Sequence, residues 1–214
     1  MAQNQNLFIS IALAIVIIVA IGAYAYTTVY NQPDREKATS DDKQNPDHGN
    51  TDNEIQLTIM YQGINYTYTL SAIEQIESIT GSGRYIKTKL LPDSVVLSDI
   101  HNYTGITIEQ LIEETNISSE WDQINVTASD GWTTMYSMNE TLGNVDVYDT
   151  NGNITENGTA TMIIAYKQDG TYYSLTDPEG DGPLRVAFIG EDTPITPSNL
   201  WTKKVVTIEI IDFT

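Results

Sequence analysis

No charged side chain precedes Asp34, and residues 7–26 read LFISIALAIVIIVAIGAYAY. At 1.5 Å of rise per residue, those 20 residues span about 30 Å, the thickness of a bilayer's hydrocarbon core. The run has no polar face, so it does not suit a helix half-buried on a soluble domain. Ala23-Tyr24-Ala25 matches the small-x-small pattern that precedes a signal-peptidase cut. The run is longer than a typical signal core, however, and no Lys or Arg precedes it, which favours a retained anchor. Residues 1–30 are therefore expected to be a transmembrane anchor or signal segment.

Residues 31–54 (NQPDREKATSDDKQNPDHGNTDNE) hold no large apolar side chain. Such a stretch cannot bury enough surface to order itself, so it is expected to be a flexible acidic stalk, with His48 solvated within it. The remaining residues, 55–214, carry a net charge of −15 out of −19 for the whole chain. A surface that acidic repels a phosphate backbone, which argues against nucleic acid as a partner. The chain has no cysteine, which excludes disulfides, thiolate metal sites and thiol nucleophiles.

Seven Asn-x-Ser/Thr sites occur, at Asn65, Asn102, Asn116, Asn125, Asn139, Asn153 and Asn157. All lie beyond residue 54, and none has Pro in the middle. Asn-linked glycans sit on exported surfaces, so with the apolar segment these sites place residues 55–214 on the extracytoplasmic side of a cell membrane. The alternative is an Asn- and Thr-rich β-protein in which such triplets arise from composition alone.

Residues 55–61 and 64–70 are rich in Ile, Thr and Tyr and flank Gln62-Gly63, a hairpin pattern. Ser71 with Glu74 predicts a short capped helix, and Gly81-Ser82-Gly83 a loop before a strand at 84–91. Thr107 and Gln110 form a capping box, with Ile106 and Leu111 as its staple, for a helix over 107–115. Strands are expected at 122–129 and 132–138 around Asp130-Gly131, at 145–150, at 160–167 and 171–175 around Asp169-Gly170, and at 184–189 and 203–211. The fold class is α+β, mainly β.

The order of these signals resembles the molybdopterin-binding domain of the sulfite oxidase family of oxidoreductases. Four stretches carry the likeness over residues 55–214: Tyr103-Thr-Gly105-Ile-Thr-Ile-Glu-Gln-Leu111-Ile112; Val126-Thr-Ala-Ser-Asp130-Gly131-Trp132; Ile164-Ala165-Tyr166-Lys-Gln-Asp-Gly170; and Gly182-Pro183-Leu184-Arg185-Val186 followed by Trp201-Thr-Lys203-Lys204-Val205. The resemblance implies that fold, a molybdopterin cofactor, and Arg185 and Lys203 on segments near the pterin. The departures are chemical. Catalytic members ligate molybdenum with a cysteine this chain lacks, and they hold the pyrophosphate with several basic residues, where this domain has only Arg84, Arg185, Lys87, Lys89, Lys167, Lys203 and Lys204.

Arg185 and Lys203 are thus candidate anion ligands, the alternative being a local ion pair and a solvated strand residue. His101 is a candidate metal ligand, base or pocket donor, or a structural histidine. Asp177, Glu179 and Asp181 form an acidic turn whose spacing suits Ca²⁺, though no full twelve-residue calcium loop follows. The expected function is that of a non-catalytic binding or cell-envelope module whose partner is an envelope protein or small ligand. The alternative is a divergent molybdopterin-dependent oxidoreductase with non-thiolate ligation.

Overall fold

Alternating Ile, Val, Thr and Tyr residues fit a pleated sheet with one face buried, and such runs fill most of the domain. The computed structural model describes residues 54–88, 95–117, 121–155, 160–174 and 180–213. All belong to one compact unit, His48–Thr214; the other unit, Met1–Asp47, lies outside the described residues. The expected anchor at 7–26 and the stalk before Glu54 fall outside as well. No helix among the described residues is long and apolar enough to cross a membrane.

In chain order the strands are β1 (Ile55–Tyr61), β2 (Ile64–Thr69), β3 (Ile79–Thr88), β4 (Val95–Leu97), β5 (His101–Thr107), β6 (Gln123–Ala128), β7 (Thr133–Ser137), β8 (Val147–Tyr148), β9 (Ile154–Thr155), β10 (Thr161–Gln168), β11 (Thr171–Tyr172), β12 (Arg185–Ile189), β13 (Ile195–Pro197) and β14 (Val205–Ile211). The helices are α1 (Leu70–Ile73), α2 (Ile108–Thr115) and α3 (Met138–Thr141), with a 3₁₀ turn at Ser198–Leu200. The described chain is mainly β, as the sequence predicts.

One sheet has the order β2-β1-β14-β6-β7. Its inner face buries Leu57, Ile59, Ile124, Val126, Tyr136, Ile208 and Ile210. Its outer face is polar: Thr67, Thr58, Thr207, Thr127 and Thr133 stand in one row, one from each strand. The next row is Asn65, Met60, Glu209, Asn125 and Met135. The second sheet runs β11-β10-β5-β3-β13, with β12 beside β10 and β4 beside β3. Apolar residues of both sheets and of α2 form one continuous core. Among the described strands, β1–β14 and β3–β13 pair in parallel and the other pairs are antiparallel.

The α2 helix forms as its capping box dictates, with the Thr107 hydroxyl accepting from the Gln110 amide at 3.2 Å. Three expectations are corrected. The first helix is capped by Thr69 rather than Ser71, its hydroxyl accepting from the Ala72 amide. The expected loop at 81–83 lies inside β3. Gly83 is needed there because a Cβ would sit 2.0 Å from the Phe188 carbonyl oxygen, so the glycine marks a close approach of two chains. The strand expected at 145–150 shortens to β8, which turns at Gly152 to pair with β9.

Candidate functional site

β12 carries Arg185 into the interior, where its side chain is 2% exposed. Burying a guanidinium is costly unless a partner offsets its charge. Asp181, at the cis Gly182-Pro183 approach to the strand, supplies it: Nη1 of Arg185 donates to Oδ2 at 2.5 Å. The other carboxylate oxygen takes Lys203 Nζ at 2.6 Å. One acid thus bridges both cations. The guanidinium carbon also lies 5.4 Å from the Tyr103 ring and 5.2 Å from the Trp201 ring, within cation–π range. Its Nε and Nη2 are buried without a hydrogen-bond partner among the described residues.

Tyr103 extends this cluster to His101, two residues before it on the same face of β5, with ring centroids 6.2 Å apart. His101 Nδ1 lies 2.7 Å from Asp169 Oδ2, and Asp169 Oδ1 accepts the Asn102 amide at 2.9 Å. Those bonds, the backbone one foremost, hold the Asp169 carboxyl below its ordinary value. Burial pushes the Tyr103 phenol up to about 12, partly offset by Arg185, and pushes Tyr173 up as well. The three residues named as cofactor ligands are therefore joined in one chain of contacts: Asp169, His101, Tyr103, Arg185, Asp181, Lys203. Of the acidic turn, Asp177 and Glu179 lie outside the described residues, and Asp181 is engaged with the two cations.

A second feature went unnoticed in the sequence. Arg84 lines a cleft of about 520 Å³ with Ile100, Val147, Tyr148, Asp149 and Asp192 among its neighbours. Arg84 forms no ion pair among the described residues, and its Nε is buried without a hydrogen bond. Asp149 is internally engaged: its Oδ1 accepts the amides of Asn151 and Asn153, and its Oδ2 accepts their side-chain Nδ2 groups. The bonds from Asn153 are the main reason its carboxyl is held low. The one available signal was rarity, since Arg84 and Arg185 are the only arginines after residue 54.

Of the sequon residues, Asn65, Asn102, Asn116, Asn139 and Asn153 are exposed, and Asn157 lies outside the described residues. Asn125 is half-buried inside the first sheet, its Nδ2 donating to Glu209 at 3.5 Å.

A molybdopterin would require a soft metal ligand and several free cations for its pyrophosphate. The chain offers no thiolate, and no group of three metal-ligating side chains occurs among the described residues. Arg185 and Lys203 are both engaged by Asp181, and the cleft at Arg84 also presents carboxylates. These residues do not fit that group.

No family model matches the sequence, and no curated protein does. Among solved structures, the chain is similar to the sulfane dehydrogenase SoxCD from Paracoccus pantotrophus, with a TM-score of 0.51 and 13% identity. The likeness covers 74% of this chain and 38% of that one, so this chain spans well under half of the dehydrogenase's length. The shared property is the fold.

Proposed function

We propose that residues 55–214 form a sulfite-oxidase-like molybdopterin-binding-type domain that has left metal chemistry and serves as a non-catalytic binding module. In this reading residues 7–26 anchor it to a cell membrane, residues 31–54 are a stalk, and the exposed sequons carry glycans on the extracytoplasmic side. The observation that carries the reading is Asp181. It pairs with Arg185 and Lys203 together, one carboxylate oxygen to each, which engages the two cations that the family resemblance assigns to the pterin. The missing thiolate supports it.

One observation favours the second reading, a divergent oxidoreductase with non-thiolate ligation: among the described residues Arg84 has no ion-pair partner, and it lines a cleft of ligand size. Elemental analysis for Mo, W and Ca, with a pterin assay, separates the two. It is run on the full chain purified from a molybdopterin-competent host. Absence of Mo, W and pterin in a folded, monodisperse sample is expected. Near-stoichiometric Mo or W with pterin would overturn the binding-module reading.

A further inference from the structure

In a domain of net charge −15, a guanidinium without an ion pair is exceptional. Arg84 is the described arginine in that state. It projects from β3 on the face that also carries Ser82, toward the β8–β9 hairpin and the turn before β13. That turn is strained. Thr193 adopts φ 52°, a left-handed conformation unusual for a β-branched residue. Its hydroxyl is fastened at 2.6 Å to that of Ser82, which also donates to the Gly190 carbonyl oxygen. Strain held in place by surrounding bonds clusters at ligand-binding positions. The cleft, the unpaired cation and the strained wall are three separate observations that meet at one place.

The lining identifies the ligand's chemistry. Arg84 offers a forked donor suited to a carboxylate. Asp149 is saturated by Asn151 and Asn153, whereas Asp192 is exposed and makes no ion pair among the described residues. Among the described lining residues, Arg84 is thus the cation without an ion pair, and Asp192 is the acid whose oxygens are not already engaged. A polyanion would be repelled by the two acids, and a simple cation by Arg84. Ile100, Val147, Pro194 and Ile195 also line the cleft, walls for an apolar side chain. We infer that the cleft binds a small zwitterion with an apolar side chain, a free α-amino acid. Arg84 would take its carboxylate and Asp192 its ammonium. This deepens the binding-module reading and rests on it.

The test is calorimetric titration of the full chain with L-leucine and L-phenylalanine, and with their N-acetyl and carboxamide derivatives. Saturable binding of a free amino acid is expected, weakened at least tenfold by either blocking group. Arg84→Gln should abolish it. Asp192→Asn, on the exposed rim, should weaken it about tenfold with an unchanged melting temperature, which guards against misfolding of the first variant. The proposal is overturned if neither free amino acid binds, or if blocked and free forms bind alike. It is also overturned if inorganic pyrophosphate binds in an Arg84-dependent way. In a sample free of Mo, W and pterin, such a failure removes the amino-acid ligand and leaves the binding module standing. A metal- and pterin-loaded sample removes the module itself.

Discussion

Arg185 was legible as a residue of interest through the family resemblance of the Gly182–Val186 stretch, and its alternative reading, a local ion pair, is what the fold shows; which acid pairs with it was not legible. Its partner Asp181 was visible four residues earlier but read as part of a calcium turn, because pairing across a bend in the chain leaves no mark in spacing. Arg84 was harder still, since the absence of a partner is a property of the folded molecule. Asp181→Ala would leave a buried guanidinium uncompensated, which typically costs 3–5 kcal/mol. Asp181 is itself 26% exposed, so about 3 kcal/mol is expected, measured as a shift in urea unfolding. Lys203→Ala removes only the exposed half of the bridge and should cost less than about 1 kcal/mol. Acid sensitivity has a separate origin. Asp149 and Asp169 are both held below 3.8 by hydrogen bonds to their ionised forms. The stability they contribute is complete above their unfolded values and is lost as pH falls through their lower folded values. Between about pH 5 and pH 2, the urea midpoint should therefore fall less steeply in an Asp149→Asn, Asp169→Asn double variant than in the parent.

Elements were readable where local chemistry decides them. The Thr107 box gives α2 directly, and Gln62-Gly63 and Asp169-Gly170 give their hairpins, with Gln62, Gly63, Asp169 and Gly170 all at positive φ. The failures occur where a neighbour decides. Gly81-Ser82-Gly83 has the composition of a loop, yet it forms strand because β12 packs so closely that no side chain fits at Gly83. β5 was missed as a strand because it also needs glycine: a Cβ on Gly105 would sit 2.2 Å from the Ile164 carbonyl oxygen. Gly105→Ala must push β5 and β10 apart, at an expected cost of about 3 kcal/mol. Thr107→Ala removes one cap from an otherwise intact helix and should cost about 1 kcal/mol. Equilibrium unfolding checks both, and equal losses would show that the contact at Gly105 relaxes more easily than its geometry implies.

The first and last strands of the domain lie side by side at the centre of one sheet, β14 between β1 and β6. Nothing in the local sequence announces this, because strand patterns identify strands and not their order. The arrangement has a thermodynamic consequence. Within β14, Val205, Ile208 and Ile210 are buried. Burial of an aliphatic side chain contributes roughly 1.5–3 kcal/mol, so three of them amount to about 5–9 kcal/mol. That is comparable with the whole stability of an ordinary domain. Deleting residues 205–214 would also strip the hydrogen-bonded edges of both β1 and β6. A chain ending at residue 204 should therefore show no cooperative thermal transition. Residues 1–47 fall in a separate unit, so a chain beginning at His48 should keep a cooperative transition within a few degrees of the full-length melting temperature. A large loss on that N-terminal deletion would mean that the first 47 residues contribute to the domain's stability, against the stalk assigned to residues 31–54. Because β1 and β14 must meet across almost the entire domain, refolding of the shortened chain is expected in milliseconds to seconds rather than microseconds, a stopped-flow measurement.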